Sequence, residues 1–174
     1  MMNKGCVFAL TTSSEAMQNK AIETLTAGIA TWSSTGATAF TPWYRAYLAK
    51  AHAELGQFDE AWRNVHEAIT AIENSNETWW EADVNRIAGE IARKAEADAL
   101  KVEKYLERAL AVARQQQAKS WELRAAMSLA RLWRDQGKVR QARELLAPIY
   151  GWFTEGFDTR DLKEAKAPLE ELAS

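Results

Sequence analysis

Cysteine is almost absent from this 174-residue chain, and the single thiol, Cys6, excludes an internal disulfide and gives a zinc cage no thiolate pair to start from. Such usage suits a reducing compartment. Histidine is nearly as scarce. His52 and His66 are the only two, and although His66-Glu67 begins the zincin pattern HExxH, its fifth residue is Thr70, so the pattern fails. No sign of charge dominates: 22 Lys and Arg face 24 Asp and Glu, for a net charge of −2. A general nucleic-acid or membrane-surface binder would be strongly basic, so neither partner is expected. Long apolar runs are missing too. The run near the N-terminus, Cys6 to Leu10, is too short for a secretory h-region, and no stretch of about 18 apolar residues exists to span a membrane. The expected location is the cytoplasm. No Gly-rich phosphate loop ending in GK[ST], no paired metal-binding Asp and no Ser/His/Asp set is suggested by position. Catalytic, cofactor-binding and metal-binding residues are therefore expected to be none, and the chain is not expected to be an enzyme.

What the chain does have is helical periodicity and eight tryptophans, large wedges suited to packing between helices. The clearest stretch runs from Pro42 to Ile72. Tyr44, Tyr47, Leu48, Ala51, His52 and Leu55 recur at three- and four-residue steps, then Phe58, Ala61, Trp62, Val65, Ala68, Ile69 and Ile72 do the same. Each set marks the buried face of one helix. Gly56, between them, suits the left-handed residue that closes a helix. The reading is an antiparallel helical hairpin.

The hairpin recurs. Ala21, Ala61, Val102 and Ala142 are separated by steps of 40, 41 and 40. Gly28, Ala68, Ala109 and Ile149 keep the same steps, as do Trp32, Ile72, Ala113 and Phe153; Ala9, Ala49, Gly89 and Ala130 are spaced 40, 40 and 41. The aromatic opening each unit gives Phe40, Trp80 and Trp121. Five columns sharing one period predict four hairpins, over about 3–34, 40–74, 78–116 and 120–153, within a single domain spanning 1–174. Within the first, the leading helix is expected at about Asn3–Thr12 and the second at about Met17–Trp32. Thr78 with Glu81 reads as a capping box, Ser120 as an N-cap, and the turn Ala95–Ala99 as one residue longer than its counterparts. A last helix, about 159–173, carries Leu162, Ala165, Leu169 and Leu172 on one face and fits an end cap, with Pro168 expected to kink it or weaken its final turn. The fold class is therefore all-α, an α-α superhelix of about four hairpins plus a capping helix.

Leu48, Ala49, Gly56, Phe58, Ala61, Val65 and Ala68 in the second hairpin, with Leu129, Ala130, Gly137, Val139, Ala142 and Leu146 in the fourth, resemble the tetratricopeptide repeat (TPR). The usual TPR period is 34 residues. The longer period here is similar to a long-helix variant in bacterial signalling and transcription regulators, including a sugar-responsive one. HEAT repeats reach this length but lack the Gly–aromatic–Ala spacing. The stretches Trp79–Ala92, Ala109–Lys138 and Gly151–Ala173 resemble the C-terminal repeat region of large bacterial regulators that join an adenylate/guanylate-cyclase-like domain to an ATPase module. The resemblance implies a non-enzymatic module for contact with a protein or peptide, either another domain of a parent regulator or a separate chain, with room for a homo-oligomer. The alternative it leaves open is a domain that senses a sugar or nucleotide.

In TPR arrays the first helices line a concave groove. Mapped by position, the groove residues are Trp43, Ala46, Lys50 and Glu54 in hairpin two, Asp83, Arg86, Glu90 and Arg93 in hairpin three, and Arg124, Met127, Arg131 and Arg134 in hairpin four. Arginine forks beside a Trp and a Met suit an acidic or C-terminal peptide segment. The competing reading is a solvated charged face without a ligand.

Overall fold

The computed structural model describes Cys6 and residues 14–172, and in these it contains eight α-helices, one short 3₁₀ turn and no strand. The helices are α1 (Glu15–Ser34), α2 (Thr41–Glu54), α3 (Phe58–Ser75), α4 (Glu81–Lys94), α5 (Ala99–Gln115), α6 (Lys119–Asp135), α7 (Val139–Tyr150) and α8 (Arg160–Glu171), with the 3₁₀ turn at Thr78–Trp80. The expected leading helix of the first hairpin lies outside the described residues apart from Cys6, which is buried. Burial pushes the Cys6 thiol up to about 12 against a smaller opposing effect of its own backbone hydrogen bond, so it stays protonated and inert.

Neighbouring helices pack as hairpins, α2 on α3, α4 on α5 and α6 on α7. Each second helix also packs against the next first helix: α1 on α2, α3 on α4, α5 on α6 and α7 on α8. The successive first helices α2, α4, α6 and α8 touch one another as well. The column residues explain this stacking. Ala21, Ala61 and Ala142 are fully buried and Val102 nearly so, each a small side chain that lets two helix backbones approach.

The turns repeat too. Gly56 and Gly137 close the first helices of hairpins two and four with φ +73° and +77°, a region that penalises any residue with a Cβ. Glu96 holds the same place in hairpin three at φ 53°. The turn between α4 and α5 has one more residue than its counterparts.

Two local expectations are corrected. Thr78 does not form a capping box, because it starts the 3₁₀ turn and Glu81 instead accepts from Arg108 Nη2 at 2.5 Å and Nε at 3.0 Å. Ser120 is not an N-cap, since α6 begins at Lys119 with Ala118 in the cap position. Pro168 lies inside α8, which runs on to Glu171, and Leu172 N–H donates to the Pro168 carbonyl at 2.9 Å. A proline near a helix end forfeits a single backbone bond, a cost the burial of its ring beside Leu162 and Ala165 offsets. The outer face of α8 carries exposed Lys163, Lys166 and Glu170, so this end presents charge where the inner repeats present small apolar residues.

Candidate functional site

A groove of about 810 Å³ runs across α2, α4, α6 and the start of α8. Seven of the ten residues expected from sequence line it: Lys50, Arg86, Glu90, Arg93, Arg124, Met127 and Arg131. The structure adds Tyr47, Ser128 and, from α8, Arg160, Asp161 and Glu164, which the sequence mapping did not reach because it counted α8 only as a cap. Seven cations (Lys50, Arg86, Arg93, Lys94, Arg124, Arg131, Arg160) face four carboxylates (Glu54, Glu90, Asp161, Glu164), an excess of three in a chain whose net charge is −2.

The other three expected residues sit elsewhere. Asp83 is 1% exposed and lies beneath the groove floor, where it holds Arg86 and accepts from the Tyr47 hydroxyl at 3.4 Å. Trp43 joins an aromatic ladder instead, stacked on Trp80 with ring centroids 5.1 Å apart and edge-on to Tyr47 at 5.0 Å. The ladder continues from Phe40 to Trp80 at 5.5 Å and from Trp80 to Trp121 at 6.2 Å, so the aromatic column seen in the sequence becomes a row of touching rings. Arg134 stands outside the groove lining, bound to Asp135 and to Glu171 Oε2, the latter at 2.5 Å.

The floor of the groove is one connected polar chain. Arg86 donates from Nε to Asp83 Oδ1 at 2.8 Å and from Nη1 to Glu90 Oε1 at 2.6 Å, and Ser128 Oγ donates to the same Glu90 oxygen at 2.9 Å. Burial works against the Arg86 charge, yet Asp83 and Glu90 outweigh it and hold its pKa above the ordinary value. Burial also pushes the Glu90 carboxyl up, and the opposing charges of Arg86 and Lys50 with the Ser128 bond win, leaving its pKa below the usual range. Tyr47 is raised, first by burial and then by the Asp83 charge, so its hydroxyl remains a donor.

Ion pairs also tie each first helix to the next. Lys94 reaches Glu54 at 2.5 Å, Arg93 reaches Asp135 at 3.4 Å, Arg124 reaches Asp161 at 2.8 Å, and Arg134 reaches Glu171. Half-exposed pairs of this kind each contribute roughly 0–1 kcal/mol and are screened by salt. Their main effect is to occupy the cations they use. Among the described residues, Lys50 and Arg131 are the groove cations that close no ion pair or hydrogen bond.

Stability should fall in acid. Glu90 and Glu122 both carry pKa values lowered on folding, Glu122 because bonds from Lys119 and Arg114 outweigh burial. A carboxylate lowered in the native state stabilises above its unfolded pKa, about 4.3 for Glu, and that stabilisation is lost as pH drops through the lower folded value. The thermal midpoint should therefore be flat from neutrality to about pH 5 and fall below about 4.3. Glu90→Gln should lower the midpoint at neutral pH and make the acid slope shallower; an unchanged slope would remove Glu90 from this account.

Among the described residues no group of three or more His, Cys, Asp or Glu is placed to hold a metal ion, and no helix is long and apolar enough to cross a membrane.

No protein-family model matches the chain, and neither does any curated protein sequence. Solved structures do. A Podosopora anserina kinesin light chain-like protein of nearly identical TPR-like repeats superposes with a TM-score of 0.67 at 17% identity, over 98% of this chain and 84% of that one. A single-residue variant of the same protein gives 0.63 at 18% identity with the same coverage. At such identities the likeness establishes architecture, and the architecture is that of a TPR-like helical-repeat solenoid.

Proposed function

We propose that this chain is a non-enzymatic interaction module that holds a peptide or protein segment in the groove across α2, α4, α6 and α8. The observation that carries the reading is the local excess of cations in a slightly acidic chain, with Lys50 and Arg131 left unpaired among otherwise consumed charges. An unpaired groove cation has no internal bond to break before it meets an incoming carboxylate. TPR-like repeats generally mediate contact between proteins, which supports the same reading, and their stacked hairpins present an extended rigid face. The resemblance of Trp79–Ala92 and Ala109–Lys138 to repeat regions of bacterial cyclase- and ATPase-linked regulators supports placing the module within signalling, as part or descendant of a larger regulator in the cytoplasm.

The test is capture of partners by the intact chain and by a Lys50→Met/Arg131→Met double variant. Proteins retained by the parent should be lost from the variant. Its melting temperature should stay within a few degrees of the parent, because neither side chain closes an ion pair in the fold. Equal retention by both would mean that the groove is not the contact surface.

A further inference from the structure

The groove charges follow the same columns as the core. Lys50, Glu90, Arg131 and Glu171 are spaced 40, 41 and 40 residues apart, and fall one each on α2, α4, α6 and α8. Lys50, Glu90 and Arg131 line the groove and read cation, carboxylate, cation across it, while Glu171 lies beyond the lining, beside Arg134. One helical turn on, Glu54, Lys94 and Asp135 make a row of opposite alternation. That second row is closed internally: Lys94 holds Glu54, while Asp135 takes Arg93 and, at 3.0 Å, Arg134. In the first row Glu171 is taken by Arg134, and Glu90 by Arg86 and Ser128. What remains without a direct ion pair or hydrogen bond is Lys50 and Arg131, on the two first helices that flank α4 and its Glu90.

Resting on the groove reading above, we infer that this row selects an extended segment with two carboxylates six residues apart and neutral or basic residues between them. Lys50 and Arg131 stand two first-helix spacings apart, roughly 16–20 Å at 8–10 Å per packed pair. An extended chain advances about 3.3 Å per residue, so the gap corresponds to about five or six residues. Side chains of an extended segment alternate faces, which puts positions i and i+6 on the same side and i+5 on the other. The middle of the segment passes over Glu90. An acid there meets a like charge held by two bonds, so a uniformly acidic run is selected against.

The experiment measures binding of the full chain to end-labelled nine-residue Ser/Thr peptides by fluorescence anisotropy. The peptides carry a Glu pair at i,i+6, a Glu pair at i,i+5, a Lys pair at i,i+6, or Glu throughout. The i,i+6 Glu pair should bind about tenfold tighter than each of the others. Lys50→Met and Arg131→Met should each weaken it about tenfold, with the far-ultraviolet circular dichroism unchanged. Equal affinity for the i,i+6 and i,i+5 pairs, tighter binding of the all-Glu peptide, or no binding of any peptide at millimolar concentration would overturn the inference. Self-association of the chain in sedimentation, abolished by Lys50→Met, would assign the row to a second copy and overturn it too. If a captured protein still depends on Lys50 and Arg131 while the peptides fail to discriminate, the spacing rule falls and the groove reading stands. If capture is indifferent to both residues, the groove reading itself falls.

Discussion

Replacing Asp83 by Ala should destabilise the chain by about 3–5 kcal/mol, the cost of stranding a charge whose buried partner has been removed. Asp83 is 1% exposed and Arg86 8%. Two guanidinium nitrogens converge on Asp83 Oδ1, at 2.8 Å from Nε and 2.7 Å from Nη2. Without that carboxylate, Arg86 keeps only Glu90, and the Tyr47 hydroxyl loses its acceptor. For a chain of this size each kcal/mol moves the melting temperature by about 2–4 °C, so a fall of roughly 10 °C is expected in a thermal scan. The variant Asp83→Asn/Arg86→Met removes both charges at nearly unchanged volume. It should unfold at a higher temperature than Asp83→Ala alone, because no guanidinium is left stranded and the introduced amide still accepts from Tyr47, while Glu90 keeps Ser128 and the nearby Lys50 charge. If the double variant proves the less stable, the pair contributes net stability of its own and the stranded-charge explanation is wrong.

The second large effect lies at Gly89 and Leu106, where α4 meets α5. A Cβ added at Gly89 would stand 2.6 Å from Leu106 Cδ2 and 2.8 Å from Cγ. Leu106 is fully buried and has little freedom to move aside. Leu106→Ala should cost about 2–5 kcal/mol through the lost side chain and the cavity left behind. Gly89→Ala should cost about 1–3 kcal/mol by overpacking, reduced by the better helix propensity of Ala. The informative variant is the double one. The methyl added at position 89 enters the space vacated at 106, so Gly89→Ala/Leu106→Ala should be more stable than Leu106→Ala in urea unfolding. Hairpin two shows the same trade in its own residues, with the larger Ala49 in the equivalent position and the smaller Val65 opposite.

The contrast between these two sites shows what the sequence made legible. Small apolar residues such as Ala61, Val102 and Ala142 repeat because every hairpin must solve the same packing problem, so periodicity alone exposes the stacking. Gly89 was legible as a column member, though the reason for its missing side chain needed the position of Leu106. Asp83 was not. Its place in the register is the same as that of Trp43 and Arg124, and register alone says which face a residue starts from, not whether a neighbour draws it under the floor. Arg86, three residues on, was the available signal, since an i,i+3 pair is within reach on a helix. The Lys94–Glu54 pair had a signal as well: Glu54, Lys94 and Asp135 alternate in sign at the 40- and 41-residue steps that fixed the core. Trp43 was misplaced for a simpler reason. An aromatic ring on a groove-facing position gains more area from the neighbouring Trp80 ring than from open water.

The polar chain from Tyr47 through Asp83, Arg86 and Glu90 to Ser128 has a consequence for how the molecule unfolds. It links three successive hairpins through two nearest-neighbour contacts that share Arg86, in an array whose stability depends on each unit and its neighbours. Melting hairpin three alone would strip acceptors and donors from both sides at once. The middle of the array is thereby bound into one cooperative block, and gradual fraying is confined to its two ends.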